Sequence, residues 1–393
     1  MSNPNVEPLS QQFSIAAQVP DHRRYFFHDP NLARMPDGTL FIAAPQWPRR
    51  REDSGYELRM MRSIDGGERW QELSSLPYQE GIPFELDGRL LMFVQEKSHS
   101  HLQIVTSADY GVSWTDPITL IEGPLWNIST ARVLGNEKIF WAVDYDLPGM
   151  SHGGKTMLTQ DRHRSVLDPD SWKISNVVEP PEVPEVLTRN LYPSEDNTLM
   201  THHWSNAFVW LEPNTVIVGG CIRVFTRVII DEYASAHMAA VLDYNVQENH
   251  LEFTQLAAWP GGQCKFFVVP DQECRRYWML SNLVTNSQDL LNWGVRMQDA
   301  GYHGGPGNER RWLFLHYSID CLNWFPAGCI ARWSESVLRS FMYPSAVIDG
   351  EDMIVLSRST RDSGDQHDAD LCTIHRVVNF RDLAMDLHQG GFH

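Results

Sequence analysis

Positive charge is scarce in this chain: 32 Lys and Arg stand against 50 Asp and Glu over 393 residues, a formal net charge of -18. A polyanion such as nucleic acid, or an anionic membrane surface, is repelled by such a balance unless a local basic patch overrides it, so neither is expected as a partner. Long apolar runs are missing too, and no stretch of about 18 residues could span a bilayer. The opening segment from Met1 to Ser14 has neither a basic nor an apolar leader region, so a cytoplasmic location is expected, although a trimmed export signal would leave the same residues. Cysteine is sparse and unpatterned. The six (Cys221, Cys264, Cys274, Cys321, Cys329, Cys372) show no C-x-x-C spacing and lie in or beside apolar runs, as reduced core thiols do. There is no H-E-x-x-H, and His99-Ser100-His101 is the one His-x-His pair, so no cofactor or catalytic metal is expected; room remains for a structural calcium on loop carboxylates.

Aromatic residues, by contrast, are plentiful, with 14 Trp and 12 Tyr. They suit cross-strand packing and sugar-stacking platforms. Two segments repeat: Ser63-Ile64-Asp65-Gly66-Gly67-Glu68-Arg69-Trp70 and Ser107-Ala108-Asp109-Tyr110-Gly111-Val112-Ser113-Trp114, both S-x-D-x-G-x-x-W. A third, Ser318 to Trp324, keeps Ser, Asp and Trp with one residue fewer. The octet has a local logic, because Asp and Ser oxygens bond nearby amides, Gly takes a positive φ and Trp pins the turn to the sheet. Upstream of the outer hairpins run six inner turns: Pro36-Asp37-Gly38, Leu86-Asp87-Gly88, Leu134-Gly135-Asn136, Glu212-Pro213-Asn214, Val269-Pro270-Asp271 and Ile348-Asp349-Gly350. Six turns predict six four-stranded blades, with weaker outer hairpins at Ser165 to Trp172, Asp243 to Phe253 and Asn379 to Asp382. The segment from Ser287 to Trp293 echoes the third octet and would be the mark of a seventh blade, a weaker reading because no inner hairpin precedes it. The expectation is an all-β, six-bladed β-propeller spanning 1–393 as one domain, with residues 1–24 an extension that closes the ring.

These octets resemble the Asp-box repeat of the sialidase superfamily, and the resemblance covers nearly the whole chain. It implies that function gathers on the face opposite the octets, where the first strands begin. The family's sialidases use three arginines to hold the substrate carboxylate, a tyrosine nucleophile, a glutamate that activates it and an aspartate acid/base in a first-blade loop. By resemblance Tyr343 stands at the nucleophile, Arg223 at the second arginine, Arg310 or Arg311 near the third, and Asp53, or Glu52, at the acid/base. Two positions depart: the first arginine's motif reads His28-Asp29-Pro30, and the Asn-Glu pair reads Asn206-Ala207. An imidazole cannot reproduce the paired charge-assisted bonds of a guanidinium, and a phenol of pKa about 10 without its base is a poor nucleophile, so a standard sialidase is not expected.

The same face offers Asp29, Arg50, Lys265, Arg358 and His367 for binding a sugar. Arg50 lies in Arg49-Arg50-Arg51, the strongest basic run, which on most proteins is a solvated surface. Glycoside hydrolysis needs a proton donor at the leaving oxygen and a second group across the ring, and Tyr343, Asp53 and His28 are the candidates here. β-Elimination from a uronic acid needs a cation on its carboxylate plus a base and an acid, which His28, Tyr343, Arg223 and Arg310 supply equally well. A propeller that binds a glycan without reacting is the third reading. The expectation is thus a carbohydrate-cleaving enzyme, hydrolase before lyase, with a carbohydrate partner and an unspecified oligomeric state.

Overall fold

A computed structural model describes residues 7–50, 55–126, 131–147, 150–182, 209–229, 237–284, 299, 309–333, 336 and 338–385. These form antiparallel sheets, with short 3-10 turns at Pro169–Ser171 and Phe380–Leu383. No described helix is long and apolar enough to cross a membrane. Strand β1 (Ser14–Gln18) opens the chain. It is followed by a sheet of β2 (Tyr25–Phe27), β3 (Asn31–Arg34), β4 (Leu40–Pro48), β5 (Glu57–Ser63) and β6 (Gln71–Glu72), in which β2 and β3 pair successive stretches of β4. The meander β7 (Glu80–Leu86), β8 (Arg89–Gln95), β9 (Ser100–Ser107), β10 (Ile118–Trp126) comes next. It continues into β11 (Val133–Leu134), β12 (Lys138–Leu147), β13 (Met150–Asp161), β14 (Trp172–Ile174), and the pairs Leu125–Tyr145 and Trp126–Asp144 join the two into one eight-stranded sheet.

Two four-stranded sheets follow: β15 (Val209–Val218), β16 (Cys221–Ile229), β17 (Met238–Asn245), β18 (His250–Ala258), then β19 (Phe267–Asp271), β20 (Arg276–Asn282), β21 (Trp312–Ser318), β22 (Phe325–Arg332). The last sheet has β23 (Ser340–Asp349), β24 (Asp352–Thr360) and β25 (Leu371–Val377). Its fourth strand is β1, antiparallel to β25, with Ser14 opposite Ile374 and Gln18 opposite Leu371.

Apolar runs explain which strands lie deep. Leu90 to Val94 is an unbroken apolar stretch, buried on both faces, whereas β18 on an outer edge alternates toward solvent. Core clusters form where one sheet packs face to face on the next. Ala43, Leu58 and Met60 meet Met92 and Val94; Phe140 and Met157 meet Trp210 and Val224; Phe225 and Trp259 meet Phe266 and Met279. Leu313 and Leu315 meet Phe341 and Val355, and Leu40 and Ile42 meet Ile354 and Leu356, so the first and last sheets also share a core.

The three octets fold as one kind of turn. Ser63 Oγ accepts from the Gly67 amide at 2.9 Å, Asp65 Oδ1 from the Arg69 amide at 3.0 Å, and Trp70 Nε1 donates to the Gly67 carbonyl at 3.0 Å. The second repeats the first two bonds through Ser107, Asp109, Gly111 and Ser113. In the third, one residue shorter, the amide of Cys321 takes the glycine's role at φ 56°. Four inner turns fall where the sequence puts them. Two do not: the β15–β16 turn is Gly219-Gly220 rather than Glu212-Pro213-Asn214, and the β19–β20 turn follows Asp271 rather than straddling Pro270. Asn379 to Asp382 is a 3-10 turn, since the last sheet takes its outer strand from the N-terminus. All six cysteines are free; Cys264, Cys321, Cys329 and Cys372 are buried, Cys274 is half-buried and Cys221 is exposed. Ser287 to Trp293 lies outside the described residues.

Candidate functional site

Three inner strands break at an X-Pro step. Asp29-Pro30 separates β2 from β3, Glu212-Pro213 interrupts the register of β15 between Leu211 and Asn214, and Tyr343-Pro344 interrupts that of β23 between Met342 and Ser345. Proline has no N–H for the ladder, so within a sheet it collects at bulges, and a bulge re-aims the side chain beside it. Glu212 and Tyr343 adopt φ of 55° and 49°, left-handed values uncommon for residues with a Cβ. The amide of Glu212 donates to Asp144 Oδ2 at 3.1 Å, and Asp144 is itself held by Lys155 at 2.7 Å with both side chains buried.

The side chains so aimed meet from distant parts of the chain. Lys265, just before β19, reaches Asp29 Oδ1 at 2.5 Å. Around the Tyr343 ring stand three cations, with Arg358 Cζ at 4.2 Å, Arg310 Cζ at 5.1 Å and Lys265 Nζ at 5.2 Å from its centroid. Arg358 donates to the carbonyls of His28 and His367. Arg227 grips Glu212 at 3.1 and 3.2 Å and donates through Nε to the Gln263 carbonyl at 2.6 Å. The Gln263 side chain is buried with no partner on either polar atom. At the rim, His28 Nδ1 pairs with Glu80 at 2.8 Å and stacks on Trp47, centroids 3.8 Å apart and planes at 10°. Beside it, Arg49 holds Asp368 at 3.0 Å, and Asp368 holds His367 Nδ1 at 2.9 Å.

Electrostatics divide the carboxyls. Burial pushes Asp29 up to about 6, opposed by Lys265 and reinforced by Glu80. Asp144 also rises to about 6 by burial despite Lys155, whose ammonium burial pushes down. Burial acts on Glu212 in the same sense, but Arg227, Lys265 and Arg310 together outweigh it and hold the carboxyl below its usual range. Desolvation and then Arg358 depress His367 to about 4, while its bond to His367 and the nearby cations outweigh burial and take Asp368 to about 2. Glu212 is therefore an ionised acceptor near neutral pH. Lys265 and Arg310, which act on it, are also two of the three cations beside the Tyr343 ring.

The structure gathers His28, Asp29, Lys265, Arg310, Tyr343, Arg358 and His367. Arg311 adjoins them, bound to Glu309 at 2.5 Å, and Arg50 is exposed. Arg223 does not join. It pairs with Asp243 at 2.9 Å near the Gly219-Gly220 end of β16, where it acts on the thiol of Cys321 in the third octet. Arg227, four residues further along the same strand and on the same face, reaches the cluster instead. Asp53, Glu52 and Asn206-Ala207 lie outside the described residues. Sequence reasoning missed Glu212 and Arg227; the available signal was that Glu212 shares with Asp29 and Tyr343 a following proline.

No family model and no curated protein matches the chain. Solved structures do. A Dyadobacter fermentans protein of unknown function aligns with a TM-score of 0.62 at 13% identity, covering 95% of this chain and 100% of that one. Penicillium chrysogenum alpha-L-arabinanase, solved with arabinobiose, aligns at 0.57 and 13% identity over 96% and 100%. Trypanosoma rangeli sialidase, solved with the inhibitor DANA, aligns at 0.59 and 13% identity over 92% of this chain and 56% of that one. The fold is sialidase-like. This chain thus spans about half the length of that sialidase and the full length of the arabinanase. In the sialidase-like frame, no three His, Cys, Asp or Glu side chains among the described residues are grouped as a metal ion requires.

Proposed function

We propose that this chain is a six-bladed β-propeller enzyme that cleaves a glycosidic bond in an oligo- or polysaccharide, as a glycoside hydrolase acting on a non-sialic, uronic-acid-containing sugar. Counting the eight-stranded sheet as two blades brings the total to six. The observation that carries the reading is the convergence of Asp29, Glu212 and Tyr343, each beside an inner-strand proline, with Lys265, Arg310 and Arg358. The similarity to an arabinanase and a sialidase supports a sugar substrate. Glu212, ionised, accepts the phenolic proton of Tyr343 as the phenolate oxygen attacks the anomeric carbon, and the surrounding cations stabilise the anion that develops. Asp53 donates a proton to the departing oxygen, and water then releases the sugar from Tyr343 in the reverse sense. The guanidiniums of Arg310 and Arg358 hold the uronic carboxylate.

A second reading, β-elimination, is favoured by one feature: the His28–Glu80 pair stacked on Trp47 places an imidazole at the rim. There it would take the proton α to a carboxylate that the cations neutralise, with Tyr343 as the acid. A glycan panel followed for both new reducing ends and the ultraviolet absorbance of an unsaturated uronate separates the two, because elimination alone makes the double bond. Hydrolysis predicts reducing ends without that absorbance, and Tyr343→Phe lowering turnover by on the order of a thousandfold with unchanged unfolding behaviour. Full activity in Tyr343→Phe removes the tyrosine from the reaction; binding of a glycan with no cleavage would make the chain a lectin.

A further inference from the structure

Beyond the site, toward the turns that follow the inner strands, the axis opens into a cavity of about 300 Å³. Its wall includes Asn31, Arg34, Phe84, Glu85, Arg132 and Ser345. Two of these carry charge besides Arg132. Arg34 is neutralised by Asp349 at 2.8 Å, and Glu85 turns back to accept from the Gly88 amide at 2.7 Å. Arg132 is different. One Nη donates to the Pro83 carbonyl at 3.1 Å and its Cζ lies 4.8 Å from the Phe84 centroid, but its Nε–H is buried without an acceptor. Burial pushes the guanidinium down to about 10, with no carboxylate opposing that shift. The side chain is half-buried, and a partly desolvated cation without a counter-charge is left to be satisfied by water or by an anion that enters the cavity.

We propose that this cavity is an anion site, in which Arg132 binds a small oxyanion of the phosphate or sulfate class. The guanidinium supplies a charge-assisted fork matched to an oxyanion. In the same wall, Ser345 accepts from the Leu32 amide at 3.2 Å, which leaves its hydroxyl proton to donate. The site is separate from the cluster around Tyr343 and does not depend on the reaction assigned there. Its occupant would stabilise the fold by binding the native state alone.

Thermal unfolding of the full chain, with inorganic phosphate exchanged for chloride at constant ionic strength, tests this. The wild-type midpoint is expected to rise saturably, by roughly 3 °C. Because the Tyr343 cluster also offers cations, the decisive comparison is between variants. Arg132→Gln should lose most of the rise, while Arg89→Gln, at an exposed arginine, should keep it. Should Arg132→Gln fail to fold, Arg132→Lys, which keeps the charge and loses the fork, is expected to weaken phosphate binding about tenfold by calorimetry. An equal rise in wild type and Arg132→Gln, an undiminished affinity in Arg132→Lys, or no rise in wild type overturns the proposal.

Discussion

His375 shows how one buried residue carries a pH dependence. Its Nδ1–H donates to the Ser10 carbonyl at 2.8 Å, its Nε2 faces Thr373 Oγ1 at 3.1 Å, and burial holds it at about 4; His316, also buried, is held at about 4. Between that value and the ordinary 6.5, the unfolded chain binds a proton that the native histidine refuses. Stability therefore falls as pH falls through this window, by up to about 1.4 kcal/mol per pH unit for each histidine. Asp29 and Asp144, raised to about 6, act in the opposite sense, because the folded chain protonates them first. Urea titrations at about pH 7 and pH 5 should thus show His375→Gln losing less stability on acidification than wild type; equal losses would clear this histidine of any part. At the same scale the site was only partly legible. His28, Asp29, Lys265 and Arg358 could be nominated as polar residues at first-strand starts or in the loops that join second to third strands, and Tyr343 and Arg310 by resemblance. The resemblance selects Arg223 and passes over Arg227, which sits on the same strand with the same alternation; only register against β15 says which lies beside Glu212.

At the scale of the element, the octet turns are closed by bonds among residues a few positions apart, and for that reason they could be read directly. Gly111 has φ of 87°, and a Cβ there would lie 2.7 Å from Phe41 Cε1. Gly88 has φ of 77° with open space around it. Gly111→Ala is therefore expected to cost about 2–3 kcal/mol and Gly88→Ala about 1 kcal/mol, in urea melts run side by side. If the two cost the same, contact with Phe41 has no weight. Glu212-Pro213-Asn214 was misread as a turn because Pro and Asn are turn formers in isolation. The chain instead turns at Gly219-Gly220, and the proline marks a bulge, a distinction that depends on what β16 pairs with.

Across the whole molecule, the strand formed by Ser14–Gln18 completes the sheet of the last three strands and shares a core with the first sheet through Ala16 and Ala17. Deleting residues 1–20 would leave the Leu371–Val377 edge unpaired and strip Ser10 from His375. A loss of several kcal/mol, read as a lower urea midpoint or as aggregation, is the expected outcome; an unshifted midpoint would mean that this strand does not hold the two ends of the chain together. By itself the sequence determined the all-β character, the octet turns and most inner hairpins, since each depends on hydrogen bonds and strand periodicity within a few residues. Which ionisable groups meet was decided by tertiary structure alone. Asp29 and Lys265 stand 236 positions apart, and no local preference encodes a contact that exists only after separate sheets have packed face to face.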